Sequence, residues 1–297
     1  MTTGHVALPA RGLIALRGPD ARSLLQGVIS TDVERVTPQS ASYGALLTPQ
    51  GKYLFDFMIL QIRDALLLDT EQARVAELLR RLLMYRLRAK VEIEDQSDHF
   101  EVAALLGPEV AARLDLPEQP GAMRALDQGA ALIDPRLTGL GGRAVLPRGS
   151  AEEILEGMGF VALPREAYER TRIALGVPEG RDLVVDRSTL LESGFEELHG
   201  VDFGTGCFVG QELTARMRYR GLVRKRLMPV TLQGPPPEPG TSIRLAGRDA
   251  GEMRSSQGDH GIALLRLEQV ARAAAEGVPL MAGATLVIPH KPDWVNF

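Results

Sequence analysis

Two stretches far apart in the chain share one pattern, and together they constrain the fold more than any other feature. Residues 14–25 read IALRGPDARSLL and residues 103–114 read AALLGPEVAARL. Each predicts an apolar strand that breaks at a Gly-Pro-acid turn and continues as a helix. The turns are Gly18-Pro19-Asp20 and Gly107-Pro108-Glu109. Proline suits the opening of a helix, where its missing N–H is not needed. An acidic residue suits the N-terminal turn, where unpaired N–H groups gather partial positive charge. Read as an internal repeat, the pair predicts two related α+β subdomains. The match spans only about a dozen positions, so coincidence is the alternative. A chain of 297 residues has room for two domains, or one domain plus a module.

Between the two stretches the pattern predicts a hairpin and a helix. Residues 43–47 read as a strand, Thr48-Pro49-Gln50-Gly51 as a turn, and residues 53–62 as the return strand. Within YLFDFMILQI, period-2 alternation puts Asp56 on a face with Leu54, Met58 and Leu60, while Tyr53, Phe55 and Phe57 make the other face apolar as well. An unpaired carboxylate there is costly. Asp56 therefore reads either as one half of an ion pair with an arginine or as a ligand-binding carboxylate lining a pocket. Residues 71–90 carry Val75, Leu78, Leu79, Leu82 and Leu83 at helical spacing, and Val91 and Ile93 alternate with acids as a further strand. Residues 166–176 read as a helix stopped by Gly176.

After Arg226 the texture changes to short alternating runs cut by Gly and Pro. This predicts a small antiparallel barrel or sandwich of about 70 residues. The boundary falls near 225, and the Pro-rich stretch 235–239 reads as a hairpin loop inside that module.

Charge and cysteine content narrow the function. A net charge of −4 argues against a dedicated nucleic-acid binder, though it leaves room for a local basic patch. One cysteine cannot close an intramolecular disulfide, and five scattered histidines without HxxxH or HxH spacing do not make a metal site. The N-terminal residues lack the pattern of a secretory signal, and no apolar run approaches a membrane span. The expectation is a soluble, cytoplasmic protein without a metal of its own.

That cysteine sits in FGTGCFVGQELTARMRYRG, residues 203–221. Cys207 reads as a thiol near a helix start, where the helix dipole favours thiolate. Gly204, Gly206 and Gly210 leave space for another molecule to approach the sulfur. The helix carries Arg216, Arg218 and Arg220, followed by Arg224, Lys225 and Arg226. The plainer reading is a small buried hydrophobe beside a solvated basic face.

The stretch resembles the Lys-Gly-Cys-Tyr-x-Gly-Gln-Glu signature of the YgfZ family, folate-binding relatives of the glycine-cleavage T-protein (GcvT). Gly206, Cys207, Gly210, Gln211 and Glu212 match, while Thr205 and Phe208 stand where the signature has Lys and Tyr. LTPQGKYLFDF at 47–57, LRAKVEIED at 87–95, RTRIALGVPEGRDL at 170–183 and a terminal Pro-x-Trp extend the likeness in order. The resemblance implies a GcvT-like α+β ring of three subdomains. Residues 1–224 would hold two interleaved α+β subdomains, and residues 225–297 a C-terminal β-barrel. It also implies tetrahydrofolate or a derivative in the central hole, for which Asp56, Arg216 and Arg220 are the candidates. The aminomethyltransferase relatives carry an acidic pair on this strand, where this chain has Phe55-Asp56. The function implied is that of an accessory protein for assembly or repair of iron–sulfur enzymes, tRNA-modifying ones included. Cys207 would touch a partner's cluster or thiol. The alternatives are a folate-dependent aminomethyl or methyl transferase using Asp56, and an RNA-contacting module using the basic run.

Overall fold

The computed structural model describes residues 2–204 and 206–295. They form three sheets. The first is antiparallel, in the order Ser42–Leu47, Tyr53–Ile62, Ala65–Glu71, Arg11–Arg17, Glu92–Asp95. The second runs Val161–Ala162, Gly4–Ala7, Phe100–Leu106, Gly142–Pro147, Gly129–Ile133, Met123–Leu126, with only its first pair parallel. The strand Gly4–Ala7 thus lies in the second sheet although the strand after it belongs to the first. The third sheet closes on itself as a six-stranded barrel. Its order is Lys225–Gln233, His260–Arg266, Arg248–Gln257, Ser242–Leu245, Leu280–Ala282, Thr285–Pro289. The result is two α+β subdomains and a closed barrel, the architecture expected from the sequence.

The Gly-Pro-acid repeat is conformational as well as sequential. Gly18 and Gly107 have φ of 115° and 113°, and both lead from a strand into a short helix, Ala21–Gln26 and Val110–Leu114. The N-cap residues Asp20 and Glu109 share φ −99°, with ψ of 7° and 9°. A Cβ on Gly18 would lie 2.4 Å from the Lys90 carbonyl oxygen, and one on Gly107 2.6 Å from Thr3 Cα. Glycine is needed at both turns for close passage of a neighbouring chain and for positive φ. Neither acid caps its own helix with its side chain. Asp20 accepts from Lys90 N at 2.8 Å, and Glu109 pairs with Arg113.

Both sheets are buried on both faces, which explains strands without clean alternation. Leu13, Ala15, Leu60 and Leu67 of the first pack against Val6, Val102, Ala104 and Leu106 of the second. The outer face of the first is covered by Ala21–Gln26 and Val75–Arg86, that of the second by Val110–Leu114 and Ala151–Gly157. A register shift between Leu46 and Leu47 alters the expected alternation at the start of the Tyr53–Ile62 strand. Leu54 joins Phe55 in the outer core, and Tyr53 turns to the side of Asp56 and Met58. An extra residue in one strand re-aims the side chains beside it.

Helix Arg165–Ala174 joins the three units. Tyr168 packs into the core between the sheets, and Ile173 into a cluster shared with Leu227 and Ile262 of the barrel. Arg172 reaches Ser255 of the barrel at 3.2 Å. The helix ends as its sequence predicts. Gly176 adopts φ 72°, and the Gly176 and Val177 amides return to the carbonyls of Ile173 and Arg172 at 3.0 Å each. The terminal Pro-x-Trp closes on the same point, Trp294 donating to the Leu175 carbonyl at 2.8 Å.

The Pro-rich stretch 235–239 is not a hairpin loop. The strands on either side of it, Lys225–Gln233 and Ser242–Leu245, do not pair, so the segment crosses one end of the barrel. Closure places each on a different neighbour, an outcome that local turn chemistry does not encode. The helix expected over 71–90 is shorter. A single turn at Gln72–Arg74 leads into Val75–Arg86, and Leu87 at φ 44° ends it. No helix among the described residues is long and apolar enough to cross a membrane.

Candidate functional site

Two places carry chemistry: an exposed loop around Cys207, and a buried polar junction that opens into a cavity.

The loop is fixed at both ends. Asp202 N donates to the Ser30 carbonyl at 2.8 Å, and the Asp202 carboxylate takes Arg35 at 2.7 Å and Gly204 N at 2.7 Å. On the far side Phe208 is buried among Tyr43, Phe195 and Leu227, and its amide donates to the Gln211 side chain at 3.3 Å. Gly210, the N-cap of helix Gln211–Tyr219, has φ 84°, and a Cβ there would lie 2.4 Å from the Thr48 carbonyl oxygen. A Cβ on Gly51 would lie 2.7 Å from the Gly210 carbonyl oxygen. The TPQG turn and the signature turn therefore touch backbone to backbone, and each needs its glycine. Between these anchors Cys207 is exposed, and nothing lies within 4 Å of where a Gly206 Cβ would be. The thiol stands three residues ahead of the N-cap rather than on it. Glu212 is exposed. Thr205, at the signature lysine position, lies outside the described residues.

The basic run divides. Arg218 bonds Glu196 at 2.6 Å and lies 4.4 Å over the Phe203 ring, and Arg226 bonds Glu197 at 2.6 Å. Arg216, Arg220 and Arg224 are exposed, with no ion pair among the described residues. With Tyr219, 76% exposed, they make a cationic, partly aromatic surface on and just after the helix that follows Cys207.

Asp56 is 6% exposed, and its partners are tyrosines, not arginine. Tyr53 donates to one carboxylate oxygen at 2.6 Å and Tyr43 to the other at 3.0 Å. The Tyr43 ring stacks on Phe195 at 5.1 Å, which closes that side. Burial, and after it the Asp56 charge, push both tyrosine hydroxyls well above their usual range, so they stay donors. Phe55, the other half of the pair, faces the outer core with Arg74 4.0 Å over its ring.

Around Tyr168 the two sheets exchange charges. Asp69 takes Arg11 and Arg143 at 2.7 Å each. Tyr168 receives Arg143 at 3.2 Å and Arg136 at 3.4 Å, and donates to Glu179 at 2.7 Å. Arg136 forms a two-pronged pair with Asp134 at 3.0 and 2.8 Å. Arg172, fully buried, bonds Asp182 at 2.6 Å and Glu169 at 3.0 Å. Burial alone would raise Glu179, but Arg172, Arg11 and Arg136 outweigh it and hold its carboxyl far below the usual range.

A cavity of about 460 Å³ opens beside this network, between the turn Leu8–Arg11 and helix Arg165–Ala174. Glu71, Tyr168, Glu179 and Arg181 are among its walls; Asp56, Arg216 and Arg220 are not. The three residues assigned to folate by resemblance thus lie outside the lining of this cavity. The cavity combines an apolar wall, carboxyl groups, and cations at its rim. None of Arg11, Glu71 or Tyr168 stood out in the sequence. The available signal was charged residues inside apolar strands, Asp69 in ALLLDTE and Arg143 in GRAVLP. Among the described residues no group of three or more His, Cys, Asp and Glu is placed to hold a metal ion.

Fold and domain comparisons define the class. Residues 9–117 match the GCVT N-terminal domain, and residues 224–297 match the CAF17 C-terminal beta-barrel domain. The glycine cleavage system aminomethyltransferase T from Bartonella henselae superposes with a TM-score of 0.77, covering 99% of this chain and 86% of that one. Identity is 17%, so this likeness speaks for the fold alone. The protein is a GcvT-like chain with a CAF17-type barrel.

Sequence relatives narrow this further. The chain is 31% identical over 320 residues to the mitochondrial iron–sulfur cluster assembly factor IBA57 of Homo sapiens, covering 97% of this chain and 84% of that protein. It is 32% identical over 294 residues to the Mus musculus protein of the same name, covering 89% and 77%. The chain belongs to the IBA57 family, within the YgfZ-type proteins.

Proposed function

We propose that this chain is a folate-linked accessory factor for assembly or repair of iron–sulfur enzymes, tRNA-modifying ones among them, and that Cys207 is the group it offers to a partner. The observation that carries this reading is the presentation of Cys207: exposed, beside open glycine, on a loop pinned at Asp202 and Phe208. A thiol so placed reaches a second protein without rearrangement of the fold. On ligation to iron it releases its proton to solvent and contributes one thiolate. One cysteine supplies one ligand, so the other ligands belong to the partner. Arg216, Arg220, Arg224 and Tyr219 flank the approach and suit an acidic partner surface. The names of the IBA57 relatives support the same role.

Genetics tests it. In a strain lacking its own family member, the wild-type chain restores the activity of a cluster-dependent enzyme, and Cys207→Ser, expressed to the same level, does not. Full restoration by Cys207→Ser would remove the thiol from the mechanism.

A further inference from the structure

Helix Val75–Arg86 ends in apolar side chains that the fold leaves uncovered. Of the seven large hydrophobic side chains exposed among the described residues, three lie within five positions here, so the exposure is concentrated rather than scattered. Leu83 is 39% exposed, Met84 74% and Leu87 87%. The opposite face of the helix, Val75, Leu78 and Leu82, is buried in the outer core. Leu87 is unfavourable twice over. It stands in solvent, and as the C-cap it holds φ 44°, a region that glycine enters without strain and leucine does not. The charges along this stretch have one sign. No acid occurs from residue 78 to residue 91, while Arg80, Arg81, Arg86, Arg88 and Lys90 do. Arg81 answers Glu77; Arg80, Arg86, Arg88 and Lys90 are exposed, with no ion pair among the described residues.

This helix end lies away from Cys207. The signature loop rests on the TPQG turn, which opens the strand Tyr53–Ile62. At the far end of that strand Ile62 pairs with Ala65, Leu66 pairs with Leu16, and the Lys90 carbonyl sits against Gly18 just beyond. The exposed helix end and the thiol loop therefore occupy opposite ends of the first sheet.

We propose that the end of helix Val75–Arg86 is a docking surface for an anionic phospholipid bilayer, contacted at its surface and not crossed. Charge complementarity selects this partner. Unpaired cations of one sign match a plane of negative headgroups, and each strengthens attachment about five-fold. Exposure rises toward the helix end, so Met84 and Leu87 project, and projecting apolar side chains enter the headgroup and acyl boundary without a preformed pocket. Attachment there leaves the Cys207 loop, at the other end of the sheet, free for a protein.

The test is co-sedimentation of the full chain with sucrose-loaded vesicles of phosphatidylcholine alone, or mixed in equal parts with phosphatidylglycerol, at low and at high salt. The wild type should bind the mixed vesicles, bind them less at high salt, and ignore phosphatidylcholine. Met84→Ser with Leu87→Ser, and Arg86→Gln with Arg88→Gln, should each weaken binding on the order of ten-fold or more. Leu87→Gly should weaken it as well while melting no lower than the wild type, since glycine relieves the positive φ. Damage to the fold would lower binding and melting temperature together. No binding of the wild type to the mixed vesicles overturns the proposal and leaves the helix end to a protein partner. Binding that either double variant leaves intact overturns it as well.

Discussion

At the scale of single residues, glycines at contacts between backbones set the geometry of the Cys207 loop. Gly210 and Gly206 both belong to the signature, but their surroundings differ. Gly210 has φ 84° and the Thr48 carbonyl 2.4 Å from a would-be Cβ, while Gly206 has φ 25° and faces open space. Gly210→Ala should therefore cost about 1–3 kcal/mol through backbone strain and the collision with the TPQG turn. Gly206→Ala should cost clearly less. Thermal unfolding of the two variants measures the difference, and equal losses would show that the back-to-back turns do not govern the loop. Gly210 was legible as a glycine that matters, because signature and turn chemistry are local. Its partner, the Thr48 carbonyl, was not, since nothing in the residues around 210 points to residue 48.

Among elements, helix Arg165–Ala174 has the largest role, and Arg172 is the residue through which it acts. Its guanidinium is fully buried against Asp182, also 0% exposed, and Glu169. Replacing it with Met keeps the apolar bulk but strands the buried Asp182 carboxylate and leaves Glu169 to Arg181. The expected loss is about 3–5 kcal/mol, as for breaking a buried pair from one side. Removing Arg266, whose pair with Asp249 is 42% and 60% exposed, should cost under about 1 kcal/mol. Urea denaturation of Arg172→Met and Arg266→Met separates these. The extent of the helix and its Gly176 stop were readable from apolar spacing and one glycine. That it bridges two sheets and a barrel was not, because its partners come from positions such as Ser255, 83 residues away.

For the whole molecule, the charges around the cavity predict how stability changes with pH. Glu179 is held far below the ordinary glutamate value of 4.5, so its stabilisation is present above that pH and is lost as pH falls below it. Glu71 has the opposite sign. Its carboxyl is raised from 4.5, so its ionisation destabilises the fold at neutral pH and has no effect once pH is well below that value. Glu179→Gln should accordingly lower the melting temperature at pH 7 and flatten its decline in acid. Glu71→Gln should melt higher than wild type at pH 7, with the gain vanishing below about 4.5. Melting curves from pH 3 to 8 check both signs.

The features legible in the residues are local in origin. The Gly-Pro-acid turns, the TPQG hairpin, the helix stop at Gly176, the signature loop and the β texture after Arg226 depend on backbone preferences and on apolar periods within about a dozen residues. Which charges meet follows from packing between distant segments. Asp56 turned out to hold Tyr43 and Tyr53, and Asp69 joined Arg11 and Arg143 from 58 and 74 residues away. Packing also sent the Pro-rich segment across the barrel end instead of into a hairpin. The physical reason is range. Steric and hydrogen-bonding preferences act along the chain between neighbours, whereas the partner of a buried charge is whichever group packing brings within a few ångströms.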